Sequence, residues 1–181
     1  MSERTPGIRP RVSLERRLDM AARRAFPAVS TALLLLVTAA PLGLPGQAEL
    51  QDAIALTCVF FWSVFRPASL PPPVVLLLGL LTDLLDFSPL GVDVLVLLLL
   101  HGFALRWRAV AKRGFVAVWL VFVALATCAS LLVWVLTCLL TFTLLPVLPA
   151  LFQALLAAGV YPVLATVLTR LHHTLAEPER A

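Results

Sequence analysis

The feature that most constrains this chain is a succession of long, unbroken apolar runs punctuated by Pro, Gly and Arg. The runs cover about 28–44, 49–65, 71–86, 89–107, 114–142 and 148–171. Their apolar residues do not alternate with polar ones, as the strands of a membrane barrel require, so the expected elements are helices. Hydrophobic residues make up 61% of the 181-residue chain and charged residues 13%. A soluble domain carries roughly 45–50% and roughly 25%. A water-soluble fold of this length has no interior large enough for that much Leu, Val and Ala. The expected fold class is therefore an all-α integral membrane protein, with six transmembrane helices in one bundle. The second and third runs are close to the lower limit of about 17 residues for a span.

Breakers set the boundaries. Arg66-Pro67 stops the second run, and Pro71, Pro72 and Pro73 open the third, because the first helical turn tolerates a missing N–H. The fifth run is long enough to tilt or project from a 30 Å core. Pro162 is placed to kink the sixth. The domain reading is a basic N-terminal segment over 1–24, a six-helix transmembrane domain over 25–173 and a short tail over 174–181. Residues 12–26 are weakly amphipathic, with Leu14, Leu18 and Ala21 set against Arg16, Arg17 and Arg24. They suit either a helix on an anionic lipid surface or an unstructured basic tail. The basic start, the apolar centre and Thr38-Ala39-Ala40 resemble a signal peptide, but Pro41 after that point disfavours cleavage, so a retained first helix is expected.

Basic residues orient the runs. Seven arginines precede the first run; Arg66 follows the second; Arg106, Arg108, Lys112 and Arg113 follow the fourth; Arg170 and Arg180 close the chain. These are all fourteen basic residues, and each falls on the side shared by the N-terminus in a six-span arrangement. The opposite connections, near 41–49, 86–89 and 142–148, hold none. That distribution predicts both termini in the cytoplasm. It also accounts for the net charge of +4 without nucleic acid. Cys58, Cys128 and Cys138 lie in apolar runs without a C-x-x-C pair, and read as small packing residues. Trp62 suits a membrane interface.

The turn between the third and fourth runs holds the residues that need explanation: Gly79, Asp83, Asp86, Ser88, Pro89, Gly91 and Asp93. Carboxylates close to hydrocarbon are expensive. Asp83 and Asp86 are three apart and share a helix face. Ser88 is placed to N-cap the fourth helix with Pro89 at its first position, Gly91 permits close helix approach, and Asp93 meets the positive helix end. Asp86 can cap or reach water. Asp83 is a turn deeper, with Thr82, backbone donors at another helix start or water as available partners. Two such carboxylates could bind a cation or relay a proton, but no intramembrane Lys, Arg or Asn accompanies them. His101 is about 12 Å along the helix from Asp93 and reads as an interface residue beside Arg106. Gln153 and Tyr161 read as interhelical hydrogen-bonding groups. No nucleophile elbow, P-loop, zinc motif or haem pair occurs, so neither an enzyme nor a cofactor is expected.

The run Gly79-x3-Asp83-Leu84-Leu85-x-x-Ser88-Pro89-Leu90-Gly91 resembles the G-x-x-x-D-L-x-x-x-x-x-L-G hairpin of the rod shape-determining MreD family. The basic loop 106–113 and Gly159-Val160-Tyr161-Pro162 before a basic end are also similar, so the likeness covers about 28–173. Asp86 and Phe87 depart from the small residues frequent in that turn, and the Arg-rich extension is unusual. The resemblance implies a non-catalytic scaffold of the bacterial cell-elongation machinery in the inner membrane, supporting rod shape and peptidoglycan synthesis. Its implied partner is MreC, and through it MreB, RodA and a class B penicillin-binding protein, among membrane lipids. The implied fold is similar to the substrate-binding subunits of energy-coupling-factor transporters, which supplies the alternative of a vitamin-type transporter subunit. A third class, an ion- or proton-coupled carrier, rests on the acidic turn alone.

Overall fold

The computed structural model describes residues 14–40, 43, 45–86 and 88–176. The N-terminal arginines before residue 14, Phe87 and the tail from residue 177 lie outside them. The described residues are helical, with no strand among them. The helices are α1 (Leu14–Thr38), α2 (Gln47–Phe65), α3 (Pro72–Leu85), α4 (Val92–Trp107), α5 (Phe115–Thr141) and α6 (Leu148–Ala176). Short 3-10 turns at Pro67–Ser69 and Arg108–Arg113 link α2 to α3 and α4 to α5.

Among the described residues, four stretches are long and apolar enough to cross a membrane: Gln47–Phe65, Val92–Arg113, Phe115–Thr141 and Leu148–Arg170. The other two apolar stretches, Arg24–Thr38 and Pro72–Leu85, are shorter. The 14 residues of α3 rise only about 21 Å. The amphipathic stretch and the first apolar run belong to one helix: α1 passes through the 24/25 boundary without a break and accommodates Pro27. The first helix consequently ends at Thr38, ahead of the expected 44, and the Gln47 side chain donates to the Thr38 carbonyl at 2.8 Å, satisfying an end that has no further turn. At the other end α6 continues to Ala176 with Pro162 inside it.

Helix α2 is the axis of the bundle. Every residue from Ala53 to Ser63 is buried, and α2 packs on α1, α4 and α6. Its Phe60 meets Phe122 of α5 and Tyr161 of α6, with ring centroids 5.0 and 5.9 Å away, while Phe122 and Tyr161 stack at 4.5 Å. Such pairs add about 0.5–1.5 kcal/mol each beyond burial. The Trp119 indole of α5 donates to the Ala158 carbonyl of α6 at 3.0 Å. The large exposed apolar side chains are carried outward by the surrounding helices, as on Leu77, Leu120, Leu139 and Leu155.

This central placement corrects two expectations. Trp62 is 1% exposed and edges onto Phe26 and Phe61, so it is a core residue and not an interface anchor. His101 is also buried, with Nδ1 2.7 Å from Ser63 Oγ on α2. The Ser63 hydroxyl donates to the Val59 carbonyl at 2.5 Å; with its proton there, it accepts from Nδ1–H. The ring therefore joins α4 to α2 instead of lying beside Arg106 at the surface. In both cases a neighbouring helix covers a face that a single helix would leave open.

Candidate functional site

Two chain breaks create the acidic end of the bundle. Helix α3 closes at Asp86, whose N–H donates to the Thr82 carbonyl at 3.0 Å. Helix α4 starts after Gly91, which sits at φ +99°, a left-handed conformation that other L-residues adopt only with strain. Between them α3 and α4 come into direct backbone contact. A Cβ on Gly79 would stand 2.6 Å from Val94 Cα and 2.9 Å from Val94 N. Glycine is required there because the obstacle is main chain and cannot rotate away. The close approach expected of Gly91 belongs to Gly79: the space at Gly91 is open, and its contribution is the turn.

The contact brings Asp83 against the start of α4. Asp83 is 1% exposed. Its Oδ2 accepts the Gly91 N–H at 2.7 Å, and its Oδ1 accepts the Asp93 N–H at 2.9 Å and the Ser88 hydroxyl at 3.2 Å. Asp83 is thus an N-cap supplied by the preceding helix. It satisfies two of the otherwise unpaired donors of α4 and places a carboxylate at the positive helix end. Of the available partners, the structure selects the backbone donors; Thr82 bonds back to the Leu78 carbonyl at 2.9 Å. Ser88 is not the N-cap and Pro89 is not the first helical residue. Ser88 bridges carboxylates, with Asp93 Oδ2 at 3.4 Å, and the Pro89 carbonyl accepts the Val92 N–H at 3.2 Å, forming the turn before the helix. The helix starts later than expected because a cap reaching over from α3 replaces a local one.

The remaining carboxylates face a different surrounding. Asp86 does not work with Asp83 along one helix face; it lies against Asp52 of α2, and Asp93 completes the group. One oxygen from each of Asp52, Asp86 and Asp93 lies within 4.8 Å of the others. Asp52 Oδ1 and Asp86 Oδ2 are buried and accept no hydrogen bond among the described residues. Burial pushes the Asp86 carboxyl above its ordinary range, and the charges of Glu49 and Asp83 push the same way, while the neighbouring Asp52 carboxyl works against them. A cavity of about 10 Å³ beside the group is lined by Asp52, Thr82, Asp93, Val133 and Gln153, among others.

No family model, curated protein or solved structure matches this chain. Its functional reading therefore rests on its own residues. Sequence reasoning singled out Gly79, Asp83, Asp86, Ser88, Pro89, Gly91 and Asp93, and the structure brings all seven to the junction of α3 and α4. It missed Asp52, and it read Gln153 only as an interhelical hydrogen-bonding group. Asp52 carried a usable signal: it is a carboxylate at the head of an apolar run with no basic residue on that side, the same criterion that singled out Asp83. That Gln153 meets it is legible only once α2 and α6 are packed together.

Proposed function

We propose that the chain is a non-catalytic membrane scaffold of the bacterial cell-elongation machinery, similar to MreD, with six spans and both termini cytoplasmic in the inner membrane. MreC is its direct partner, and MreB, RodA and a class B penicillin-binding protein are reached through it. The observation that carries this reading is that the three spaced residues of the hairpin pattern have separate and specific tasks. Gly79 admits the α4 backbone, Asp83 caps α4, and Gly91 makes the left-handed turn. A chance Leu-rich match would have no reason to put Gly, Asp and Gly where only those residues serve. In this arrangement the short α3 draws its turn toward the hydrocarbon, where backbone groups must find partners within the protein. The capped hairpin then gives MreC a rigid surface on the extracytoplasmic side.

The vitamin-transporter alternative has no comparable observation behind it. The bundle cavities beside Asp52 and beside Phe60 measure about 10 Å³ each, room for about one water, whereas small-molecule sites occupy about 300–1,000 Å³; a cavity of about 350 Å³ lies at the basic turn, lined by Arg106, Trp107, Ala109, Val110 and Arg113, away from the hairpin.

Depletion in a rod-shaped host, with affinity purification from its membrane, tests the proposal. Rounded or widened cells and recovery of MreC are expected; normal shape with recovery of a paired ATPase and loss of vitamin uptake would replace it with the transporter. Orientation is tested separately. In a cysteine-free background, Leu144→Cys should react with an impermeant thiol reagent from outside and Ala109→Cys should not; the reverse pattern refutes the topology.

A further inference from the structure

Asp52, Asp86 and Asp93 come from three places: the second turn of α2, the residue closing α3 and the first turn of α4. Their oxygens gather within 4.8 Å. Three carboxylate oxygens from three separate elements make a flexible, protein-supplied oxygen set of the kind Ca²⁺ takes, whereas Mg²⁺ demands near-octahedral geometry and keeps several waters. A second observation lies on the cavity wall. Gln153 of α6 is 4% exposed, shares the cavity with Asp52 and Asp93, and its amide has no hydrogen-bond partner among the described residues. An amide there has a carbonyl oxygen to offer and nothing in the protein to offer it to.

The surrounding charge has one sign. Glu49 and Asp83 are the other titratable groups acting on the cluster, and Asp83 is already committed to the α4 backbone. The nearest basic residue along α4 is Arg106, at its opposite end. The three ligands of the group are all carboxylate oxygens, which suits a hard cation better than soft-ligand chemistry.

We propose that Asp52, Asp86, Asp93 and the Gln153 carbonyl form a binding site for a hard divalent cation of the calcium class. The ion would bridge α2, α6 and the α3–α4 hairpin, locking the capped hairpin onto the central helix. The proposal stands apart from the scaffold reading, since it concerns binding to the isolated protein.

The test uses full-length protein, stripped with chelator, in nanodiscs of uncharged lipid at neutral pH. Equilibrium binding of radioactive Ca²⁺ and thermal unfolding are followed up to about 10 mM, beyond the weakest extracellular calcium modules. Saturable binding of one ion per chain and a rise in Tm are expected, with Mg²⁺ weaker. Asp52→Asn should weaken Ca²⁺ by about tenfold or more, Gln153→Leu by less, and Lys112→Gln, beyond the opposite end of α4, should bind like the parent. Should Asp52→Asn not fold, Asp86→Asn in the turn takes its place. Absence of saturable Ca²⁺ binding overturns the proposal in favour of carboxyls sharing a proton. Binding untouched in both aspartate variants, or tighter for Mg²⁺ than Ca²⁺, overturns it as well.

Discussion

The two ends of α4 handle charge in opposite ways. At its start, Asp93 is 5% exposed and Asp83 1%, and every oxygen of Asp83 is bonded. At its finish, Arg106 is exposed, and the 3-10 turn that follows carries Arg108, Lys112 and Arg113, all exposed. The difference is one of reach. Arginine and lysine have long stems that lie along apolar surface while the charge remains in water. Aspartate has a single methylene and cannot escape, so the protein must bring donors, a proton or a cation to it. The basic end therefore needs little tertiary structure, and the acidic end is made by it.

The sharpest way to break this contrast is Asp83→Leu, which strands the Gly91 and Asp93 N–H donors. At about 1–3 kcal/mol per stranded buried group, it should remove most folded protein from the membrane. Asp83→Asn should be milder. Its oxygen can still accept from Asp93 N–H and Ser88, but its amide nitrogen confronts the Gly91 N–H, so about one such bond is lost. Equal loss of thermal stability in both variants would defeat the capping account. Lys112→Gln at the basic end should change stability by no more than about 0.5 kcal/mol.

Next in size is Gly79→Val, which drives a side chain into the Val94 main chain and should destabilise by about 1–3 kcal/mol or more. A Tm equal to the parent's would show that α3 and α4 part without penalty.

Acid dependence gives a smaller effect of known sign. Burial raises the folded-state Asp86 carboxyl above its unfolded value. The unfolded chain thus loses the proton first, and the stabilisation from protonated Asp86 is complete below about pH 4 and lost as pH rises through the folded value. In chelator, the parent should lose more Tm than Asp86→Asn between mildly acidic and neutral pH. A parent that gains stability relative to that variant over the same window would contradict the buried placement of Asp86.

The smallest effect returns to the basic half of α4. Gly102 is exposed, with open space where a Cβ would stand. Gly102→Ala should stabilise by about 0.4–1 kcal/mol, opposite in sign to any side chain at Gly79. Destabilisation, read from thermal unfolding, would mean that Gly102 packs on something in the bilayer.

Much of the fold was legible without coordinates, and particular residues show why. Arg66-Pro67 ends α2 because proline restricts the residue before it, whatever else is nearby. The proline run at 71–73 opens α3 for an equally local reason. The hairpin residues were legible as a set, but their tasks were exchanged. Ser88 looked like the cap because capping is usually local, and the cap came from Asp83, eight residues before Gly91. Asp52 was passed over although it heads an apolar run with no basic residue on that side; its partners, Asp86 and Asp93, lie more than thirty residues away.

The amino-acid sequence by itself determined that this protein is helical, that its apolar runs suit a membrane, and that carboxylates gather at one junction while basic residues collect in the other connections. Hydropathy, helix breakers and turn residues act over a few neighbours, so they can be read one window at a time. Only the tertiary structure decided that α2 is the covered axis, that Gly79 lets α4 touch α3, and that Asp52 and Gln153 converge on the hairpin. A carboxylate's partner is whatever the next helix presents, and which helix lies next depends on packing the whole set together.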